Sequence, residues 1–198
     1  MRTVLHVGCG RKDIRGLPAF FQDGSWSEIR LDIDRDVRPD VIGTMTDMGA
    51  VPTGSVHALF SSHNVEHLYP HEVPAALAEF RRVLSPDGFA LVTCPDLQAV
   101  AALIGQDRLL EPAYHSGMGP IAPLDILYGH RASIARGNRF MAHRGGFTMR
   151  TLGQALADAG FGRVMAKRRP VAFDLWALAL VPDDQTALEV IAKLLMPT

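Results

Sequence analysis

Cysteine is scarce in this chain: two residues of 198, Cys9 and Cys94, each at the end of an expected strand. So few do not make a disulfide scaffold, and they point to reduced thiols and a cytoplasmic location. An excess of one charge is missing too, since 20 Lys and Arg face 21 Asp and Glu for a net −1. That leaves no electrostatic footprint for nucleic acid, and no nucleic-acid partner is expected. The short basic run Lys167-Arg168-Arg169 reads as a solvated strand edge. Long hydrophobic runs are absent. The longest, 173–181, contains Asp174 and falls far short of a membrane span, so none is expected. A secretory leader is not expected either, because the first residues already read as a strand. Repeats and low-complexity segments are lacking. What is present, 47% hydrophobic residues at a mean hydropathy of +0.09, suits one globular domain over residues 1–198 with a sizeable core. A small-molecule partner fits such a chain, with a homodimer left open.

The most informative stretch is Val4-Leu5-His6-Val7-Gly8-Cys9-Gly10, where a buried-strand pattern runs into a Gly-x-Gly turn. Glycines there let the backbone turn sharply and let a ligand approach main-chain N–H groups. A pyrophosphate-binding turn continues as Gly-x-Gly-x-x-Gly into a helix N-terminus. Here that last position is Asp13, preceded by Arg11 and Lys12. A carboxylate repels a pyrophosphate, which disfavours a dinucleotide and an NAD(P)-dependent oxidoreductase. A nucleoside cofactor without phosphates, S-adenosylmethionine foremost, meets no such obstacle. About 20 residues on, Ile29-Arg30-Leu31 leads to Asp32, placed to accept bonds from a ribose cis-diol. The plain alternative is that Asp32, Asp34 and Asp36 make a solvated turn or a cation site.

Further along come Thr46-Asp47-Met48, then Val56-His57-Ala58-Leu59-Phe60-Ser61-Ser62-His63-Asn64-Val65-Glu66-His67-Leu68, then Arg82-Val83-Leu84-Ser85-Pro86-Asp87-Gly88 and a strand ending Thr93-Cys94-Pro95-Asp96. In this order the motifs resemble the class I S-adenosylmethionine-dependent methyltransferases, in particular small bacterial ones with a Ser-Ser-His-x-x-Glu-His-Leu segment and an Arg-Val-Leu-x-Pro-x-Gly turn. The resemblance covers residues 4–96 and the later Gly146-Phe147-Thr148 and Ala159-Gly160-Phe161. It implies an α/β Rossmann-like fold with a mostly parallel seven-stranded sheet and a closing antiparallel strand. It also implies S-adenosyl-L-methionine as cofactor. Gly8, Cys9 and Gly10 should approach its methionine and ribose parts, and Asp32 its ribose hydroxyls. Ile33 should lie against the adenine, Asp47 with the Met48 backbone should read the adenine edge, and Ser62 and His63 should line the sulfonium region. Two positions depart from the pattern, which usually has an acid where this chain has His6 and often a glycine where it has Lys12.

Residues 72–84 carry an apolar stripe of helical period, with Pro74 tolerable in the first turn. Ser85-Pro86-Asp87-Gly88 then turns into a strand over 89–94. A short helical stretch is expected over 17–21, and a helix from Asp96 to about Arg108. Another should run from Thr148 as N-cap to Ala159 with Gly160 at its end, followed by strands over 164–168 and 171–181 and an amphipathic helix over 184–196. Residues 97–146 look irregular, with many Gly, Pro, His and aromatic residues, and read as a lid or substrate-binding insertion.

Methyl transfer to a hydroxyl calls for a general base, and His143, His63, His130 and His115 are the candidates, with His143 preferred for its place before Gly145-Gly146. The sequence itself does not name the acceptor; the resemblance, which includes proteins of cell-surface sugar synthesis, implies a small molecule of the saccharide or lipid-linked kind. The different-class alternative is a cofactor-binding protein without catalysis, for which His6 in place of the acid is the support. His6 itself reads as a satisfied core histidine. His63-x-x-Glu66-His67 matches an inverted zinc-peptidase motif literally. That motif needs one continuous helix face and a third ligand from elsewhere, whereas Tyr69-Pro70 ends any helix within a turn. No metal is therefore expected, and Glu66 and His67 should be hydrogen-bonded in place.

Overall fold

In the computed structural model, which describes residues 1–197, nine segments are extended. In chain order they are β1 (Arg2–Val7), β2 (Trp26–Asp32), β3 (Val41–Ile42), β4 (Val56–Ser62), β5 (Leu84–Pro95), β6 (Tyr114–Ser116), β7 (Gly119–Ile121), β8 (Arg163–Arg169) and β9 (Asp174–Leu180). Six helices accompany them: α1 (Val73–Val83), α2 (Leu97–Ile104), α3 (Pro123–Tyr128), α4 (Arg131–Ala135), α5 (Met149–Asp158) and α6 (Gln185–Leu195). Seven strands form one sheet in the order β3-β2-β1-β4-β5-β9-β8, and β6 with β7 makes a separate hairpin. All neighbours from β3 to β5 are parallel, while β9 runs antiparallel to β5 and to β8. The antiparallel strand thus lies one place in from the edge. The chain order reverses between β1 and β4, which opens a crevice at the carboxyl ends of those strands.

β1 shows why the sheet is covered on both faces. Leu5 and Val7 point into one apolar layer with Leu77 and Phe80 of α1 and Leu152 and Leu156 of α5. Val4 points into the other with Phe21, Trp26, Phe60, Phe89 and Leu188 and Leu195 of α6. A continuous apolar strand is the expected signature of such a doubly covered parallel sheet. In α1 the buried side chains are Val73, Ala76, Leu77, Phe80 and Val83, the expected stripe, and the proline sits in its first turn. Thr148 caps α5 by accepting the Thr151 amide, and Asp184 caps α6 by accepting that of Ala187.

The differences from the sequence reading have local causes. The Ser85–Gly88 turn does not separate β5 from α1. The strand begins at Leu84, and its register to β4 jumps from Val56↔Leu84 to Ala58↔Phe89 across a bulge. Between β1 and β2, by contrast, the structure agrees with the expectation of a short helical stretch, the chain making two single 3-10 turns, Ile14–Gly16 and Ala19–Phe21. The second delivers Phe21 into an aromatic nest, with ring centroids 5.1 Å from Trp26 and 6.3 Å from Phe60 and from Phe89. Residues 97–146 are more ordered than their composition suggests, since they carry α2, the hairpin, α3 and α4. Among the described residues no helix is long and apolar enough to cross a membrane.

Phe21 is fully buried, so Phe21→Ala removes a large ring from a packed nest. The expected loss is about 3–5 kcal/mol of unfolding free energy, read from chemical denaturation. A loss below about 1 kcal/mol would mean that the nest is not part of the core.

Candidate functional site

The glycine turn lies at the carboxyl end of β1, on the crevice. Gly8 and Gly10 both have positive φ, +65° and +53°, but for different reasons. A β-carbon on Gly8 would strike the Asn64 side chain at 2.1 Å, whereas one on Gly10 would meet nothing within 4 Å. Gly8 is therefore a close-approach position for Asn64, whose Nδ2 donates to the Val7 and Ser62 carbonyl oxygens at 2.9 and 3.0 Å. Gly10 faces open space. Its amide donates to Asp32 Oδ2 at 2.7 Å, and Asp32 Oδ1 accepts the Asp34 amide at 2.9 Å. Arg30 braces the turn from β2, donating to the Gly10 and Lys12 carbonyl oxygens at 2.7 and 3.0 Å. Cys9 is buried, and burial pushes its thiol up to about 11, so it is an inert part of the turn. Ile33, next to Asp32, is half exposed.

His6 is buried, its Nδ1 2.7 Å from Glu28 Oε1. Burial, together with the charges of Lys12 and Arg30, pushes this imidazole down to about 4, while burial raises the Glu28 carboxyl. His6 is therefore an uncharged imidazole hydrogen-bonded to Glu28, which brings a carboxyl group from β2 beside it.

The adenine assignment divides. Asp47 is exposed and accepts the Gly49 amide at 3.1 Å. Met48 is buried, and its amide donates to Glu79 Oε2 at 2.7 Å while its carbonyl oxygen accepts from Arg82 at 3.0 Å. The Met48 backbone is thus committed to α1 and is not free to read an adenine edge, which corrects the sequence expectation. Glu79 lies 31 residues away, so no local pattern announced it.

At the end of β4 the chain turns at His63, whose φ of +56° lies in the left-handed region. Ser62 Oγ accepts from Thr93 at 2.8 Å. His63 Nδ1 lies 3.4 Å from Glu66 Oε1 and its Nε2 3.7 Å from Asp174 Oδ2. Burial works against its charge, but the Asp174 and Glu66 carboxylates prevail and push it up to about 9. At neutral pH His63 is an imidazolium rather than a base. Burial would raise the Glu66 and Asp174 carboxyls, yet both are held low, Glu66 by His63 and Asp174 by His63 and Arg169. The single turn Val65–His67 carries Glu66 and His67, and His143 comes up against them from the loop before α5. His143 Nε2 is 4.0 Å from Glu66 Oε1, and its ring meets that of His67 at 4.9 Å. Burial lowers the His143 pKa.

Two of the four candidate histidines, His63 and His143, are therefore brought together around Glu66. The other two are not. His115 is exposed on the β6–β7 hairpin, and His130 Nδ1 lies 2.8 Å from Ser133 Oγ at the start of α4. Among the described residues no hydrogen bond or ion pair links either to Glu66. The expected hydrogen bond for Glu66 is also missing: both its oxygens are buried without a partner among the described residues. Asp174 was visible in the sequence only as an interruption of an apolar run, and a buried acid in such a run is the signal for a cationic partner. Nor is the basic run merely a solvated edge. Arg168 Nε meets Asp96 Oδ2 at 2.9 Å and Arg169 makes a two-pronged pair with Asp174, tying β8 to acids at the site.

Residues 5–92 match the family described as Methyltransferase domain. No curated protein matches the chain. Among solved structures, a 1,6-didemethyltoxoflavin-N1-methyltransferase of Burkholderia thailandensis, with 1,6-didemethyltoxoflavin and S-adenosylhomocysteine bound, is 16% identical. It is covered over 90% of this chain and 70% of that chain with a TM-score of 0.54. A SAM-dependent methyltransferase of Archaeoglobus fulgidus is 15% identical, covered over 90% of this chain and 86% of that one, with a TM-score of 0.60. The PH0226 protein of Pyrococcus horikoshii OT3 is 13% identical over 91% of this chain and 82% of that one, also at 0.60. These likenesses establish the fold. The glycine turn and the Asp32 that faces it at the strand ends lie within the residues, 5–92, that match the methyltransferase domain family, on a fold shared with these methyltransferases.

Proposed function

We propose that this chain transfers a methyl group from S-adenosylmethionine to an oxygen of a small-molecule acceptor, of the saccharide or lipid-linked kind. The observation that carries the cofactor end is the open space at Gly10 beside Asp32: no atom lies within 4 Å of where a β-carbon would stand. When bound, the cofactor supplies an electrophilic methyl group on a sulfonium. The residues fit it. The Asp32 carboxylate keeps lone pairs for two ribose hydroxyls beyond the two amides it already accepts. Ile33 offers an exposed apolar surface to a flat base, and Asp47 a carboxylate for its amino group. Ser62 and His63 end β4 on the same crevice and would border the reacting centre. Ligands take this location, the carboxyl ends of strands at a switch in chain order, in open α/β sheets.

The acceptor end rests on residues 97–146 and on the Glu66 cluster. We assign 97–146 as the acceptor wall within one domain. Its hairpin lies against β9, where Tyr114 stacks on Phe173 with centroids 6.3 Å apart, next to Asp174. His143 belongs to the loop that closes this wall, but its Nε2 is directed at Glu66, so it does not stand as a free base toward solvent. An amine or thiol acceptor needs no such cluster of histidines and buried acid, which favours an oxygen nucleophile. The binding-only alternative drew on His6, and the Glu28 carboxyl held against His6 weakens it.

Two substitutions test the cofactor site by calorimetric titration with S-adenosylhomocysteine. Asp32→Asn should weaken binding by about 2–3 kcal/mol, because charge-assisted bonds to the ribose are lost. Unchanged affinity would remove Asp32 from the site. Gly10→Ala should cost the free protein only about 1 kcal/mol of stability for its positive φ, yet weaken S-adenosylhomocysteine at least about tenfold by filling the cradle.

Turnover is read as labelled methyl transferred to pooled saccharide and lipid-linked metabolites. Product from a hydroxyl-bearing fraction is the expected result. Tight S-adenosylhomocysteine binding with no transfer to any fraction would favour the binding-only alternative.

A further inference from the structure

We propose that Glu66, His67 and His143 form a site for one divalent transition-metal ion at the carboxyl end of β4. The sequence argued against a metal because the helix holding His63, Glu66 and His67 is too short. The fold supplies what that argument lacked, a ligand from 76 residues further on. One donor atom from each of Glu66, His67 and His143 lies within 4.8 Å of the others. Metal bonds of about 2.1 Å at tetrahedral angles put ligand atoms roughly 3.4 Å apart, so the three donors must draw together by about an ångström, which side-chain rotation can supply.

Three observations point to a cation rather than a chance cluster. The Glu66 side chain is 1% exposed, and neither of its oxygens has a hydrogen-bond partner among the described residues. An ionised carboxylate so placed is costly unless cations meet it, and His63, shared with Asp174, faces only Oε1, at 3.4 Å. Next, both imidazoles are turned the same way. His67 Nδ1 lies 3.0 Å from the Ala142 carbonyl oxygen and His143 Nδ1 lies 2.8 Å from that of Ile126. A carbonyl oxygen only accepts, so both Nδ1 atoms carry hydrogen, and Nε2 is the atom each ring has left for a metal. Metal-bound histidines are held in this way by their outer partners. Finally, the two ligand-bearing segments are bolted together by backbone, as the Arg144 and Gly145 amides donate to the Glu66 carbonyl oxygen at 2.8 and 3.0 Å. Gly145 is needed for that approach, since a β-carbon there would lie 2.9 Å from the Leu68 carbonyl oxygen.

Two nitrogens and one carboxylate make an open ligand set, which leaves a position for an exogenous oxygen. The side of the cluster that meets solvent is that of His63, 44% exposed, at the carboxyl end of β4. An acceptor hydroxyl entering there would bind the ion and lose its proton to solvent more readily. Its oxygen lone pair would then form the O–CH3 bond while the S–CH3 electron pair passes to sulfur. This role rests on the methyl-transfer reading; the site itself does not.

The test uses full-length protein purified without metal-affinity resin, stripped with chelator and titrated with Co2+ while the visible spectrum is recorded. One equivalent should bind, with absorption of nitrogen and oxygen ligands. Glu66→Gln and His143→Asn should each weaken it at least about 100-fold. The asparagine keeps a donor for the Ile126 carbonyl oxygen while removing Nε2, and His67→Asn replaces either variant if its metal-free melting curve shows that it has not folded. Titration with S-adenosylhomocysteine on the same preparations separates the two proposals. Cofactor binding without Co2+ binding overturns the metal site alone. Co2+ binding without cofactor binding keeps the metal site and overturns its role in methyl transfer. Absence of saturable Co2+ binding in folded wild type, or binding that survives the substitutions unchanged, would leave His63 as the sole counter-charge of Glu66 and overturn the proposal.

Discussion

The bond from the Gly10 amide to Asp32, 2.7 Å long, holds the site in shape. It ties the turn after β1 to the end of β2, so the two strands present their ends as one surface. Asn64 does the same between β1 and β4, filling the space that Gly8 leaves and donating to the Val7 carbonyl oxygen. Three parallel strands are thus clamped at their carboxyl ends by two short polar side chains. The apolar layers on both faces of the sheet supply stability, but they would support many turns; the clamps select this one. Gly10, left open between them, has no atom within 4 Å of where its β-carbon would stand.

Around that crevice charges are arranged in opposed pairs. Arg168 and Arg169 on the edge strand reach back to the buried acids Asp96 and Asp174, and Asp174 with Glu66 holds His63 protonated. Elements far apart in sequence, the β4 turn, the end of β5 and the β8–β9 corner, are joined through these side chains. The methyltransferase domain match stops at residue 92, yet much of the histidine–acid cluster lies beyond it.

The sequence was most legible where chemistry is local. The glycine turn, the acid after β2, the stripe of α1 and the Thr148 and Asp184 caps are short-range signals, and the structure has each in place. It was least legible where a partner comes from afar. Nothing near Met48 announces that Glu79 takes its amide, and nothing near Gly8 says that Asn64 fills its missing side chain. Composition misled in residues 97–146, because turn-forming glycines and prolines coexist there with three short helices and a hairpin, of which α2, α3 and the hairpin share a small core of Val100, Ile121 and Ile126. Helix-based metal motifs mislead similarly. They assume ligands on one face of one helix, whereas here backbone pairing between two loops sets the spacing.

A crystal structure of the protein with S-adenosylhomocysteine is the most direct measurement of the central claim, that the cofactor lies on the surface clamped by Asp32 and Asn64. The account predicts the ribose hydroxyls within hydrogen-bond distance of Asp32, the ligand backbone over Gly10, and the thioether sulfur facing Ser62 and His63. Ligand density in the apolar groove between α1 and α5, lined by Val73, Leu77 and Phe147, with the Gly10 cradle empty, would contradict it.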